Sequence, residues 1–220
     1  NIEKYDLPYV GAYQSEKDAN KARVVDIDGI KVGVLGYTYG TNPGYNVPQD
    51  KEYLVNYIDE AKIKREIRDI KKLSDVVVVN MHWGSEYVTQ ENDEQRRLAK
   101  VINKAGGDII FGGHPHVIQP YDEIVGKDGH KTSVFYSIGN FYATITSGVE
   151  TMVGGAASFR ITKQGDDVTV DKPIFKASAV LQDGGMYKVF PLAKVEGKTP
   201  APYTNLHWVQ EIMGDKVIVK

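Results

Sequence analysis

Apolar positions follow two rhythms along this chain. Residues 75–80 read Asp-Val-Val-Val-Val-Asn, and an apolar run without polar alternation predicts a strand buried on both faces. Residues 93–105 change the rhythm, with Leu98, Val101, Ile102 and Ala105 recurring at the spacing of one helical face. Asn92 stands where an N-cap belongs, Gln95 follows three residues later, and Gly106-Gly107 supply a stop. A second apolar run, residues 108–111, comes directly after. The pattern predicts strand, helix, strand. Strands joined by one helical crossover tend to lie side by side and parallel, with their carboxyl ends on one edge of the sheet.

Upstream, residues 22–26 and 30–37 are β-branched runs around Asp28-Gly29, the strongest short hairpin signal. Val24, Ile27, Ile30, Val32, Val34 and Leu35 are expected to form its buried face. Residues 57–73 place Ile63, Ile67 and Ile70 at helical spacing. Residues 118–125 and 131–138 predict two strands around Lys127-Asp128-Gly129-His130, with His130 exposed at the tip. Residues 156–162 and 168–180 alternate around Gln164-Gly165-Asp166, as a hairpin covering a sheet would. Residues 38–50 and 143–155 read as loops. From Pro191 onward Pro, Gly, Lys and Thr dominate, a linker composition, so residues 191–220 are expected to be a tail that includes His207-Trp208.

With 220 residues, 41% of them hydrophobic and 25% charged, the chain can build one sizeable globular core. A net charge of −2 gives no electrostatic case for nucleic acid. Lys62, Lys64, Arg65, Arg68, Lys71 and Lys72 resemble a polyanion site, but acidic residues interleave with them and predict a solvated, ion-paired face instead. Cysteine is absent, which leaves His, Asp, Glu and Asn as candidate metal ligands.

Three of the five histidines stand where the two valine- and isoleucine-rich strands end: His82 after the first, His114 and His116 after the second. Ligands of open α/β sheets bind at that edge. Pro115 bars the helical region to His114 and is expected to hold an extended segment, in which His114 and His116 point the same way. Converging neutral imidazoles suit zinc, manganese or iron. One histidine at a strand end is most simply a cap on the backbone; three at two adjacent ends favour a site. Trp83 reads as a cleft wall or core residue. Glu86 has two open readings, orienting a ligand of the site or pairing as a loop carboxylate. Asn140 likewise either contacts the site or closes an Asx-turn.

The segments His82-Trp83-Gly84-Ser85-Glu86-Tyr87, Gly112-Gly113-His114-Pro115-His116-Val117 followed by Ile118-Gln119-Pro120, and Tyr136-Ser137-Ile138-Gly139-Asn140-Phe141 together resemble the bacterial capsule-synthesis proteins of the CapA type. That resemblance implies an α/β fold, a two-sheet sandwich flanked by helices of the metallophosphoesterase kind, here lacking its first half. It covers residues 1–190 as the later part of the domain. The family's Gly-Asp pair and its Asn-Asn-His segment have no counterpart in this sequence. By similarity His82 and His114 would bind one divalent metal (Mn, Zn or Fe) and His116 a second, while Glu150 falls where relatives carry a glutamate just before a strand. Gly113 replaces a histidine common in the family.

The resemblance implies a part in making or exporting a poly-γ-glutamate-type capsule polymer. It further implies an anionic polymer or phosphate ester as ligand, a membrane-bound synthesis complex as partner, and a place on the extracellular face of the membrane, anchored by an upstream segment. Two rival functions stay open: a metal-dependent phosphoesterase, and a binding module without chemistry.

Overall fold

The computed structural model describes residues 3–5, 7–144, 148–165, 167–201 and 203–220; Asp166 of the expected 164–166 turn, and residues 145–147 of the expected 143–155 loop, lie outside them. In chain order the regular elements begin with Glu16–Ala19 (α1), Val24–Ile27 (β1), Ile30–Thr38 (β2), Glu60–Lys71 (α2), Val76–His82 (β3) and Asp93–Ala105 (α3). Strands Ile109–Gly113 (β4), Tyr121–Val125 (β5), Lys131–Phe135 (β6), Val153–Ser158 (β7), Ile161–Gln164 (β8) and Asp167–Val170 (β9) follow. The chain continues through Ile174–Asp183 (β10), Met186–Pro191 (β11), Leu206–Met213 (α4) and Ile218–Val219 (β12). Two compact units divide these elements. The first comprises Asn1–His82, Leu98–Ile110 and Val125–Thr132; the second comprises Trp83–Arg97, Phe111–Ile124 and Ser133–Lys220.

In the first unit β1 and β2 form the expected antiparallel hairpin, from Val24 opposite Gly33 to Ile27 opposite Ile30. Asp28 and Gly29 at its turn have φ of 51° and 84°, the left-handed pair that matches the twist of the flanking strands. One expectation is corrected. Ile27 is 54% exposed, because β1 is the outermost strand of its sheet and its turn end projects beyond the core; Val32 and Leu35 of β2 are buried.

Strand β2 runs parallel to β3, from Val32 beside Val76 to Thr38 beside His82. Val76, Val77 and Val79 are fully buried, as a strand covered on both faces requires. Helix α2 buries Ile63, Ile67 and Ile70 and is capped by Asp59, which accepts from Lys62 N–H. Several of its cations are paired, Lys64 with Glu60, Lys72 with Asp69, and Lys71 with Asp108. His130 is not an idle tip. Its Nε2 lies 2.9 Å from the Gly107 carbonyl, and Asn103 Nδ2 donates to the His130 carbonyl, so the turn is fastened down.

The second unit begins with the capping of α3: Gln95 N–H donates to Asn92 Oδ1 (2.9 Å) and Asn92 N–H to Gln95 Oε1 (3.0 Å), the reciprocal box expected from the sequence. Here β4, β6 and β5 are neighbours in that order. A separate sheet is centred on β10, paired antiparallel with β7 and β11 and parallel with β12. Strands β8 and β9 make a two-stranded ribbon of their own. Phe135 joins the two layers, its ring 6.2 Å from Phe111, 4.8 Å from Tyr121 and 6.1 Å from Phe175.

Residues 191–220 depart from the expected tail. Leu192, Val195, Val209, Met213 and Val217 are buried in the same core as Phe135 and Phe175. The Pro-, Gly-, Lys- and Thr-rich stretch that precedes them hid the short apolar elements α4 and β12 that close this end of the unit.

Candidate functional site at the histidine loop

Strand β4 ends in Gly112-Gly113, and the chain then bends through residues 114–117. The approach is close enough that Gly112 has no room for a side chain: a Cβ there would lie 1.9 Å from the Tyr136 carbonyl oxygen and 2.6 Å from Trp83 Nε1. Trp83 is buried and its Nε1–H donates to that same carbonyl at 2.9 Å, which settles it as a core residue. Trp83 N–H donates to Gly113 O and Tyr87 N–H to Pro115 O. These bonds tie the segment after His82 to the histidine loop.

The loop is not extended as expected. His114 and His116 have φ of 99° and 62°. Pro115 does exclude the right-handed helical region for His114, but the residue goes to positive φ, not to the β region. Tyr87 also has positive φ, 64°. Such backbone costs about 1–3 kcal/mol per non-glycine residue and gathers where surroundings impose a particular side-chain direction.

Two imidazoles result, with ring centroids 6.3 Å apart and planes tilted by 53°. His116 Nδ1 lies 3.0 Å from Asn140 Oδ1, and Asn140 Nδ2 donates to the Thr151 carbonyl at 2.9 Å. Tyr87 covers one face of the His116 ring, centroids 5.8 Å apart at 22°. Partial burial holds His114 below the ordinary imidazole pKa; the nearby Glu86 carboxylate opposes that shift and His116 adds to it. The net direction favours the neutral imidazole, which has a lone pair to offer.

Of the residues singled out from the sequence, the structure brings together His114, His116 and Asn140, with exposed Glu86 within electrostatic reach of His114. His82 belongs to the first unit, at the exposed end of β3, its ring stacked on Tyr39 at 5.8 Å and 6°. Glu150 accepts from the Tyr203 hydroxyl at 2.8 Å. Sequence reasoning missed Thr151, whose contribution is a backbone carbonyl that no residue type announces, and gave Tyr87 no role although it ends the quoted motif. Among the described residues no group of three or more His, Cys, Asp or Glu could hold a metal ion. The side chains present thus do not by themselves fit a metal centre, although the pair can accept protons or bind a polar group.

Comparison with known proteins adds the following. A family model described as bacterial capsule synthesis protein PGA_cap matches residues 1–144. The PGA biosynthesis protein CapA of Bacillus subtilis (strain 168) is 38% identical over 147 residues, covering 63% of this chain and 35% of that protein. The capsule biosynthesis protein CapA of Bacillus anthracis is 38% identical over 139 residues, covering 62% of this chain and 33% of that one. The chain thus spans about a third of the length of these relatives. Among solved structures, a putative 5'-nucleotidase from Staphylococcus aureus superposes with a TM-score of 0.50 at 17% identity, over 96% of this chain and 38% of its own. That likeness speaks for the fold alone, an α/β architecture shared with that protein.

Proposed function

Since the chain belongs to the family of bacterial capsule synthesis proteins, we propose that it serves the synthesis or export of a capsule polymer of the poly-γ-glutamate type. The observation that carries this reading is that the matched residues 1–144 contain His114, His116 and Asn140, the three side chains that the fold gathers at one loop. In this reading the protein works at the extracellular face of the cell membrane within a membrane-bound synthesis complex, and its ligand is the anionic polymer. Full-length protein carrying His116→Ala would be returned to a capsule-forming bacterium that lacks its own copy, and surface polymer measured. Loss of polymer with unchanged protein level is the expected outcome. Normal polymer would sink the reading that this loop matters to the process.

A second reading, hydrolysis of a phosphate ester, is favoured by the metallophosphoesterase-like fold. The family resemblance would supply Mn, Zn or Fe at His82, His114 and His116, but imidazoles carry no negative charge, and two divalent ions bring about four positive charges that carboxylates must partly offset. The Glu86 carboxylate bears on His114, and the described residues form no metal-holding group. The 220-residue chain incubated with Mn or Zn is therefore expected to show no turnover of a chromogenic phosphodiester. Robust turnover that His116→Ala abolishes would overturn this expectation and establish the hydrolase reading.

A further inference from the structure

We propose that Asn140 is a positioning residue that holds His116 in one tautomer, with the proton on Nδ1 and the lone pair on Nε2. An imidazole nitrogen facing an amide oxygen must donate, and one facing an amide nitrogen must accept, so the tautomer depends on which way the Asn140 amide is turned. That orientation is ordinarily a matter of assignment. Here the molecule decides it, because the other end of the amide faces the Thr151 carbonyl at 2.9 Å. A carbonyl oxygen only accepts, so it must meet the Asn140 NH2. Turning the amide over would set oxygen against oxygen there and, at the other end, nitrogen against His116 Nδ1.

With NH2 committed to Thr151, Oδ1 is what His116 Nδ1 meets at 3.0 Å. Oδ1 has no proton, so neutral His116 carries its hydrogen on Nδ1 and donates. The orientation thus originates in the backbone of the 3-10 helix Val149–Met152, passes through Asn140, and ends as a lone pair at His116 Nε2. Other constraints keep the ring from turning away. The backbone at His116 holds φ of 62°, and Tyr87 lies against one ring face. Two further close contacts anchor the segments on which this relay depends. A Cβ at Gly154 would lie 2.1 Å from Asn140 O, and Gly139 pairs with Gly154 across the chain, so Asn140 and the strand after Thr151 are in register. The Thr151 side chain is itself buried and donates to the Gly148 carbonyl.

A histidine locked in this way presents Nε2 as a base or donor atom of fixed direction, without a proton to lose first. The inference does not depend on the capsule role, and its test does not depend on activity. Long-range proton–nitrogen NMR of the 15N-labelled chain would be recorded about two units above the ordinary imidazole pKa of about 6.5, with His116 assigned from the signals absent in His116→Gln. The expected spectrum shows His116 Nδ1 as the protonated nitrogen and Nε2 as the bare one. Asn140→Ala is expected to shift His116 toward the Nε2-protonated form. Should Asn140→Ala fail to fold, the wild-type spectrum decides the matter. A proton on Nε2 in the wild type, or an unchanged tautomer in folded Asn140→Ala, would overturn the proposal.

Discussion

Gly112 shows how much of the histidine loop rests on one missing methyl group. Its neighbours Tyr136 O and Trp83 Nε1 would lie 1.9 Å and 2.6 Å from a Cβ, and both are held by the bond between them. Gly112→Ala should therefore cost about 3 kcal/mol, the upper range for overpacking a core, read as a fall in the urea midpoint; a change under about 0.5 kcal/mol would mean the backbone yields freely. Asp18 gives a pH-dependent case in the first unit. Its carboxylate accepts from Gln14 N–H, Tyr9 O–H and Arg23, and these bonds, the backbone one foremost, hold its pKa below the usual carboxylate value. A depressed folded pKa contributes stability that is present above the unfolded value of about 3.9 and is lost as pH falls through the folded one. Unfolding measured against pH should show Asp18→Asn lacking this acid limb. Identical slopes for both proteins would refute the assignment. Asn140 was visible in the sequence as a candidate with two readings. The carbonyl of Thr151 that sets which way the Asn140 amide faces was not, because a backbone group leaves no mark in residue type.

Helix α3 illustrates agreement between pattern and element, since the expected span, cap and apolar face all appear. The structure adds a distinction within the cap. Asn92 bonds Gln95 N–H near the surface, whereas buried Gln95 also donates to Gln119 Oε1 at 2.8 Å. Asn92→Ala should cost about 1 kcal/mol, the usual loss for a cap. Gln95→Ala should cost more, about 2–3 kcal/mol, because it also leaves a buried acceptor unpaired. Equal urea midpoints for the two variants would count against the Gln95–Gln119 bond. The β1–β2 hairpin was legible for the same reason as α3: its turn chemistry is local. What could not be read was the exposure of Ile27, which depends on β1 having a partner on one side only.

For the whole molecule the closing segment is the sharpest test. Val209, Met213 and Val217 are buried with Phe135 and Phe175, and each buried side chain of this size is worth about 1.5–3 kcal/mol. Removing residues 206–220 should therefore take away about 5 kcal/mol or more, against a typical total of about 5–15 kcal/mol. The truncated chain is expected to lose its cooperative thermal transition; a transition unchanged in midpoint would show that these residues are the tail their composition suggests. By itself the sequence determined the parts whose causes are local: the valine strand β3, the capped helix α3, the Asp28-Gly29 turn, and the motifs that carry the family resemblance. Tertiary structure alone decided that a linker-like stretch completes a core and that His114 and His116 sit in left-handed backbone. It also decided that Asn140 faces His116 with its amide turned by Thr151. Each of these depends on groups far apart in the chain meeting at hydrogen-bond or van der Waals distance, and periodicity and turn chemistry, which act over a few residues, carry no record of such meetings.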